Sequence, residues 1–338
     1  MLKLICAPMA TISHEAFRRI VEKFGFCDEY FTEMINASSL VANGPWEKYY
    51  LLNAPVPQKI VWQLTGNKVD SIVQATAIVA SLGGIGVDIN MGCSAPQIYK
   101  TGAGIAWMLK PLAETKELIQ NVKKELINIE NQTGKHLRLS VKCRLGKEDF
   151  CDNDFFSFTD MLIAEGVELI TLHPRTIKEK YRGLPRYEYV ESLALRYPSV
   201  PIILNGGISD FSSAKQALEK APSTAGIMIA RAAVQKPWIF AQLHNQLMQE
   251  ELNPTLEQNI SFIQIDAEEL AIEFINNVEL YQPREFYTTR LQRFFFYYCD
   301  NFTFAHYFKT QMLNAKTPDE CRKRVHEYFL QQPDDKII

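Results

Sequence analysis

The chain has 338 residues, 47% of them hydrophobic, so it can fold one large domain and a smaller one around sizeable cores. A net charge of −3 and a pI of about 6.1 give no overall signal for a polyanion partner, which would need local basic patches. The sequence has no signal-peptide pattern, no membrane-length apolar run and no CxxC pair among its seven cysteines, which predicts a cytosolic protein without a membrane segment, a disulfide framework or a metal site.

Eight apolar runs of strand length recur along the chain, separated by segments with helical character. The runs are residues 4–8, 30–34, 59–64, 86–90, 138–143, 168–173, 201–205 and 226–230. The helical segments include residues 69–81, 111–133, 155–165, 186–197, 210–221 and 237–252. Most runs are apolar nearly throughout, as in strands that a parallel sheet buries on both faces. Eight such repeats over about 250 residues predict an α/β fold, a (β/α)8 TIM barrel with its functional side chains at the carboxyl ends of the strands.

The pattern changes after Leu252, where Asn253-Pro254-Thr255 interrupts the helical period. The rest of the chain is helical only, with apolar residues near one face between residues 263 and 278 and an aromatic block at residues 294–298. We therefore predict a barrel domain over residues 1–252 and a small all-α helical bundle over residues 253–338. We expect the aromatic block to fill the core of the bundle, because a small bundle needs large side chains inside.

The last two predicted strands end in residues suited to a phosphate group. One ends in Asn205-Gly206-Gly207 before a helix, and the other ends in Ala230-Arg231. These two loops form the usual phosphate site of a barrel, because glycine lets backbone N–H groups approach an anion and a helix start adds its dipole. The two strand ends therefore predict a phosphate-bearing ligand.

Polar residues at three other strand ends indicate which ligand this is. Lys142 is a point charge suited to a ring carbonyl or nitrogen that becomes negative on reduction. Gln63 offers both a donor and an acceptor to a pyrimidine-like edge, and His173 can donate from one ring nitrogen. Together with the phosphate loops, these residues predict flavin mononucleotide (FMN).

A tight turn follows the fourth apolar run, at Gly92-Cys93-Ser94-Ala95-Pro96. Gly92 lets the backbone turn, and Pro96 prevents an immediate return to the sheet. Position alone leaves two interpretations open. Cys93 either points into the ligand site or is a small buried hydrophobe, as most free cysteines are.

The strand ends together resemble the ordered signature of the tRNA-dihydrouridine synthases. The likeness rests on Ala7-Pro8-Met9, Gln63-Leu64-Thr65-Gly66, Asp88-Ile89-Asn90-Met91-Gly92-Cys93, Val141-Lys142-Cys143-Arg144-Leu145-Gly146, Leu172-His173-Pro174-Arg175-Thr176, Tyr181-Arg182-Gly183, Asn205-Gly206-Gly207-Ile208 and Met228-Ile229-Ala230-Arg231-Ala232. It covers the whole barrel in order, and the appended helical domain fits it. The chain departs from the family at Ser94, where the family usually has proline.

The resemblance implies an NAD(P)H-dependent oxidoreductase that acts on a CH–CH bond, with FMN as cofactor and NADPH as the expected electron donor. It implies that hydride passes from N5 of reduced FMN to C6 of uracil, while Cys93 acts as the catalytic acid at C5. A thiol suits this role because it is largely protonated at neutral pH and still donates readily. The implied FMN-binding residues are Pro8, Met9, Ala10, Gln63, Lys142, His173, Asn205, Gly206, Gly207, Ala230 and Arg231.

The resemblance also implies an RNA substrate, transfer RNA with ribosomal RNA as the alternative, and we expect a monomeric enzyme. The implied RNA-binding residues are Asn36, Asn90, Tyr181, Arg290 and Arg293. Two basic segments accompany them: residues 175–186 hold five Arg/Lys against one acid, and residues 286–331 hold seven against four. We expect these segments to contact opposite sides of a folded RNA.

Three alternatives remain at this level. The first is an FMN barrel that oxidises or reduces a small dihydropyrimidine or dihydroorotate, which leaves the helical appendage unexplained. The second is an aldolase- or isomerase-like barrel in which Lys142 forms a Schiff base. The third is a non-catalytic RNA-binding protein that has kept only the fold.

Overall fold

The computed structural model describes residues 2–147, 150–180, 182–252 and 264–338. Its strands are β1 (Lys3–Cys6), β2 (Glu29–Phe31), β3 (Ile35–Asn36), β4 (Ile60–Thr65), β5 (Gly86–Met91), β6 (Arg138–Arg144), β7 (Leu169–His173), β8 (Ile202–Asn205) and β9 (Gly226–Ile229). The helices up to Leu252 are α1 (Glu15–Glu22), α2 (Ala37–Val41), α3 (Glu47–Tyr50), α4 (Val69–Ala80), α5 (Pro96–Tyr99), α6 (Ala106–Leu109), α7 (Leu112–Thr133), α8 (Asp152–Ala164), α9 (Glu188–Arg196), α10 (Phe211–Lys220), α11 (Arg231–Gln235) and α12 (Ile239–Leu252).

The strands close into a parallel barrel. The sheet runs β2-β1-β9-β8-β7-β6-β5-β4, and β2 also pairs with β4, which completes the ring. Every pairing is parallel, so helices return the chain from the end of each strand to the start of the next. The predicted (β/α)8 TIM barrel is confirmed.

The second predicted strand, residues 30–34, is shorter than expected. β2 ends at Phe31, after which Thr32 N still donates to the Val61 carbonyl at 3.0 Å. Glu33 then turns to accept from Thr11 N at 2.5 Å, so the chain leaves the sheet. It returns as the two-residue strand β3, which lies on the carboxyl end of β4.

Four further α-helices lie within the described residues 264–338: α13 (Ala267–Tyr281), α14 (Tyr287–Tyr298), α15 (Ala305–Asn314) and α16 (Pro318–Gln331). Aromatic side chains fill the space between them, with ring centroids 3.8 Å apart for Phe274 and Phe294 and 4.1 Å apart for Phe308 and Tyr328. The predicted helices at the C-terminus are confirmed. The predicted boundary between residues 252 and 253 stays a prediction, because residues 253–263 lie outside the described part of the chain.

The C-terminal helices pack firmly on the barrel through α1. The ring of His14 lies 6.2 Å from that of Phe274, and the Arg19 guanidinium lies 4.1 Å from the centre of the Tyr281 ring. Lys23 Nζ lies 2.7 Å from a carboxylate oxygen of Glu273. The contact between the two parts is therefore both apolar and charged.

No helix within the described ranges is long and apolar enough to cross a membrane. All seven cysteines are free thiols, and only Cys151 is exposed, while Cys93 is half-buried. The other five lie in the interior.

Candidate active site at the carboxyl ends of the strands

The interior of the barrel changes from apolar to polar along its strands. An apolar cluster of inward-facing side chains fills it first, formed by Ile5, Ala7, Phe31, Val61, Leu169, Ile203 and Met228. Side chains alternate along a strand, and the outward residues pack against the surrounding helices. The inward positions nearer the carboxyl ends are polar: Gln63, Asp88, Asn90, Ser140, Lys142, Arg144, Thr171, His173 and Asn205.

Lys142 lies at the centre of this polar layer. Its Nζ donates to Asn205 Oδ1 at 2.6 Å, and Asn205 Nδ2 donates to the Met228 carbonyl at 2.8 Å, which fixes the orientation of the amide. Burial and the neighbouring Arg144 lower the pKa of Lys142 to about 8, although Asp88 acts in the opposite direction. An ammonium group with little water around it attracts an anionic ligand strongly.

Four cations surround His173. Burial, and then Arg144, Lys142, Arg175 and Arg231, lower the pKa of His173 to about 2, so its ring is neutral. A neutral ring can donate one hydrogen bond and accept another. Four positive charges near one buried position favour the binding of an anion there.

Gly206 and Gly207 form a close-fitting backbone turn beside His173. Their φ angles are +124° and +79°, in the region that favours glycine. A Cβ on Gly206 would lie 2.8 Å from His173 Cδ2, and one on Gly207 would lie 2.3 Å from the Tyr187 hydroxyl. Glycine is thus needed at both positions, and the backbone there can approach a ligand.

The helix after these glycines does not offer its N-terminus to the ligand, contrary to the prediction. The Asp210 side chain accepts from Ser213 N at 2.8 Å, and Ser213 Oγ accepts from the backbone N–H groups of Ser209 and Asp210. The first turn of α10 is thus capped by a carboxylate, which would repel a phosphate. Any phosphate here depends on the glycine turn and the cations.

The loop that carries Cys93 is held from several sides. Asn90 Oδ1 accepts from Gly92 N at 3.2 Å and from Cys93 N at 2.9 Å. Arg144 Nε donates to the Gly92 carbonyl at 3.0 Å, and Ile105 N donates to the Cys93 carbonyl at 3.0 Å. The bonds of this loop to Asn90 and Arg144 place Cys93 beside the polar layer.

The loop after β1 forms another wall of the site. Ser13 Oγ donates to the Ala7 carbonyl at 2.7 Å and accepts from Met9 N at 2.8 Å. Pro8 and Met9 are half-buried and Ala10 is exposed, so this loop borders the end of the barrel. Ala230 lies at the end of the next strand of the ring, before Arg231, which begins α11.

These residues fit a flavin phosphate. The buried Thr171 Oγ1 has no hydrogen-bond partner in the described structure, and Thr171 pairs with Lys142 across β6 and β7. A buried hydroxyl without a partner in this layer is a donor or acceptor for a bound ligand. The cations supply the charge that a phosphate needs, and the glycine turn supplies the room.

Comparison with known proteins identifies the family. The family model "Dihydrouridine synthase (Dus)" matches residues 5–332. The chain belongs to the dihydrouridine synthase family. It is 28% identical to a "Probable tRNA-dihydrouridine synthase" of Aquifex aeolicus over 96% of this chain and 95% of that protein. It is 31% identical to a "Probable tRNA-dihydrouridine synthase" of Rhodobacter capsulatus over 71% of this chain and 70% of that protein. It is also 31% identical to "tRNA-dihydrouridine(47) synthase [NAD(P)(+)]-like" of Mus musculus, over 72% of this chain and 36% of that protein.

Three of the predicted RNA-binding residues lie at the surface or beside the polar layer. Asn36 ends β3, is exposed and accepts from Ser39 N at 3.0 Å, so it caps α2. Asn90 is 6% exposed beside the Cys93 loop, and Arg293 is exposed on α14. Tyr181 lies outside the described residues.

Arg290 does not have the surface position that a contact with RNA requires. It is 2% exposed, and its Nη1 donates to Glu33 Oε2 at 2.8 Å. Its guanidinium also lies 5.0 Å from the centre of the Phe286 ring. Arg290 therefore joins the C-terminal helices to the barrel, and we withdraw the prediction that it contacts RNA.

Arg144, Arg175 and Asp88 also lie in the site, although the predicted FMN- and RNA-binding sets did not include them. Arg144 and Arg175 contribute to the charge around His173, and Asp88 lies close to Lys142. The place of Arg144 in the site could have been predicted from the sequence. It lies two positions after Lys142 on the same strand, so both side chains point to the same face of the sheet. The inward position of Asp88 could be inferred from the same alternation along β5, but its partners could not.

Proposed function

We propose that this protein reduces uridine in transfer RNA to 5,6-dihydrouridine, with FMN as its resident cofactor and NADPH as the electron donor. The observation that carries the proposal is the cluster of cations around His173 beside the Cys93 loop, in a chain of the dihydrouridine synthase family. The names of the relatives specify tRNA. The seven free thiols fit the reducing cytosol.

The cation cluster and the glycine turn support FMN as the cofactor. We assign its binding to Pro8, Met9, Ala10, Gln63, Lys142, His173, Asn205, Gly206, Gly207, Ala230 and Arg231, and we add Arg144 and Thr171. Bound FMN, once reduced, supplies the hydride that adds to C6 of uracil. Lys142 stabilises the negative charge that reduction places on the ring system, an electrostatic contribution that acts strongly in a poorly hydrated site.

Cys93 supplies the proton that completes the reduction. A hydride at C6 leaves C5 in need of a proton, and a general acid within reach of C5 provides it. Cys93 is half-buried, whereas five of the other six cysteines lie in the interior. The hydrogen bonds from the Cys93 loop to Asn90 and from Arg144 to that loop hold the thiol in place.

We assign catalysis to a domain of residues 1–252 and RNA binding largely to a domain of residues 253–338. The target uridine must leave its stack to reach Cys93, which costs a few kcal/mol and requires contacts elsewhere. Asn36, Asn90, Tyr181 and Arg293 are our candidates for these contacts, together with the exposed Lys180 and Arg182. We expect recognition of phosphates and shape, with little reading of sequence.

Replacement of the catalytic thiol tests the proposal. Cys93→Ala should keep its bound flavin and lose dihydrouridine formation by about 100-fold or more, because general acid catalysis contributes at least that much. The assay measures dihydrouridine in tRNA from cells that lack this protein, after incubation with NADPH. Cys151→Ala is the matched control, because it removes an exposed thiol and should keep the wild-type rate. A fully active Cys93→Ala variant contradicts the role of Cys93.

Binding to bulk tRNA separates the proposal from a small-molecule oxidoreductase. Affinity for tRNA should fall steeply with salt, because phosphate contacts release counterions. Turnover of a free dihydropyrimidine or dihydroorotate without RNA, and no binding to tRNA, would favour the small-molecule alternative. A colourless protein would favour the Schiff-base alternative at Lys142.

A further inference from the structure

A chain of hydrogen bonds runs through the barrel interior from Asp88 to the backbone of Cys93. Asp88 Oδ2 accepts from Gln63 Nε2 at 2.8 Å, and Asp88 Oδ1 accepts from Ser140 Oγ at 2.8 Å. Gln63 Oε1 accepts from Asn90 Nδ2 at 2.9 Å. Asn90 Oδ1 then accepts from Cys93 N at 2.9 Å. The chain thus connects three adjacent strands with the loop of the thiol.

The directions of the bonds in this chain are set at both ends, by Asp88 and by the backbone N–H groups of Gly92 and Cys93. An ionised carboxylate can only accept, so Gln63 must turn its NH2 group toward Asp88 and its carbonyl toward Asn90. Asn90 must then turn its own NH2 group toward Gln63. Its carbonyl consequently faces the loop, where it accepts from the N–H groups of Gly92 and Cys93.

Without a fixed acceptor at Asp88, only the backbone N–H groups of Gly92 and Cys93 hold the chain in its direction. If Gln63 flipped, its NH2 group would face that of Asn90, and Asn90 would have to flip as well. Asn90 would then present donors to the donors of Gly92 and Cys93, which would push the loop away. The side-chain amide of Gln63 makes no hydrogen bond in the described part of the chain besides those to Asp88 and Asn90, so these two residues set its orientation.

We propose that Asp88 is a positioning residue for Cys93, and that it holds the loop so that the thiol faces C5 of the uracil by fixing the amide directions of Gln63 and Asn90. The inference rests on the proposed function. Asp88 is fully buried within the barrel, so it acts on the loop through the two amides and does not itself meet the substrate.

The ionisation of Asp88 gives the chain a dependence on pH. Burial raises the pKa of Asp88 to about 6, against the bonds from Gln63 and Ser140 and the charges of Lys142 and Arg138 on β6. Below about pH 6, the carboxyl gains a proton and can donate to Gln63 as well as accept from it, which removes the constraint at this end of the chain. The wild-type rate of protonation at C5 should therefore fall below about pH 6.

The variant Asp88→Asn tests the inference in a single-turnover experiment. The flavin of the holoenzyme is reduced with dithionite and mixed anaerobically with unmodified tRNA, and its reoxidation is followed by absorbance. Asp88→Asn should reoxidise about 10- to 100-fold more slowly than wild type, because a small misplacement of a reacting group has that effect. The measurement is made with FMN saturating, because Gln63 is also assigned to FMN. The reduction of the variant by NADPH should then be unchanged, and its rate should show no fall through about pH 6.

Two further variants distinguish positioning from a general structural role. Ser140→Ala removes the other partner of Asp88 and leaves a carboxylate facing Gln63, so its rate should stay within about twofold of wild type. The double variant Gln63→Glu/Asp88→Asn again gives the hydrogen-bond chain a single direction. The carboxylate at position 63 can only accept, so it accepts from Asn90 on one side and from the amide at position 88 on the other. Saturated with FMN, this double variant should recover most of the rate that Asp88→Asn loses.

The outcomes separate the two proposals. A wild-type protein that leaves uridine in tRNA unreduced contradicts the proposed function. An active wild type with an equally fast Asp88→Asn variant overturns only the positioning role. If Asp88→Asn does not fold, the double variant decides, because a double variant that stays slow or unfolded overturns the inference.

Discussion

Lys142 is the residue through which pH should act on the binding of FMN. Its pKa is lowered to about 8, so its ammonium group loses a proton within the range in which the protein can be assayed. The neutral amine no longer adds to the positive charge around His173 that attracts the phosphate of FMN. Affinity for FMN should therefore be highest below about pH 8 and fall as pH rises beyond it, by up to about tenfold per pH unit.

Titration of apoprotein with FMN across this range measures the effect. Lys142→Arg provides the control, because a guanidinium stays protonated and its affinity should remain flat where that of wild type falls. Lys142→Gln should bind weakly at every pH. A wild-type affinity that is constant from below to well above pH 8 contradicts the role of Lys142.

At the scale of the element, the loop after β5 depends on a close contact with a glycine farther along the chain. A Cβ on Gly104 would lie 2.5 Å from the Cys93 carbonyl oxygen. Gly104→Ala must therefore displace the loop and should slow dihydrouridine formation by about tenfold or more with the flavin retained.

Gly102→Ala is the matched control for this contact. Both glycines have a positive φ, +86° at Gly102 and +60° at Gly104, so alanine strains the backbone at either position. The nearest atom to a Cβ on Gly102 is Asn67 Cβ at 3.6 Å, which is ordinary contact. Both variants should have a lower melting temperature than wild type, but only Gly104→Ala should form dihydrouridine slowly. Equal rates would show that backbone strain, and not the contact with Cys93, matters.

The strands of the barrel were predictable because each carries its own pattern. A run such as residues 138–143 is buried on both faces, and the alternation along it places Lys142 inside. The pairing of Gln63 with Asp88 was not predictable, since the partners lie on different strands and the register sets their distance. The early end of β2 was not predictable either, because it depends on a partner far away in the sequence: Glu33 accepts from Thr11 N in the loop after β1.

At the scale of the whole molecule, one buried ion pair ties the C-terminal helices to the loop after β1. Glu33 accepts from Arg290 with one carboxylate oxygen and from Thr11 N with the other. Thr11 directly succeeds Pro8, Met9 and Ala10, which we assign to FMN. From the sequence, Arg290 was predicted to be a basic helix residue that contacts RNA. Its ion pair with Glu33 could not be predicted, because the two residues are 257 positions apart in the sequence.

Removal of this pair should affect stability and cofactor together. Arg290→Met leaves the Glu33 carboxylate buried without its partner, so the free energy of unfolding should fall by about 3–5 kcal/mol. FMN should also bind less tightly, because the loop at Thr11 loses support. Urea unfolding and FMN titration measure the two effects.

Arg293→Met separates this structural role from RNA binding. Arg293 is exposed on the same helix, so its replacement should leave stability and FMN affinity nearly unchanged and weaken binding to tRNA. If Arg290→Met instead weakens only the binding of tRNA, the ion pair does not support the loop.

The cations around His173 have a consequence for the protein before it acquires its cofactor. Lys142, Arg144, Arg175 and Arg231 repel one another, and a bound anion among them offsets that repulsion. A ligand that binds only the folded chain stabilises it in proportion to the logarithm of its concentration over its dissociation constant. The melting temperature should therefore rise with added FMN, and a newly synthesised chain short of flavin should be the form that proteases remove first.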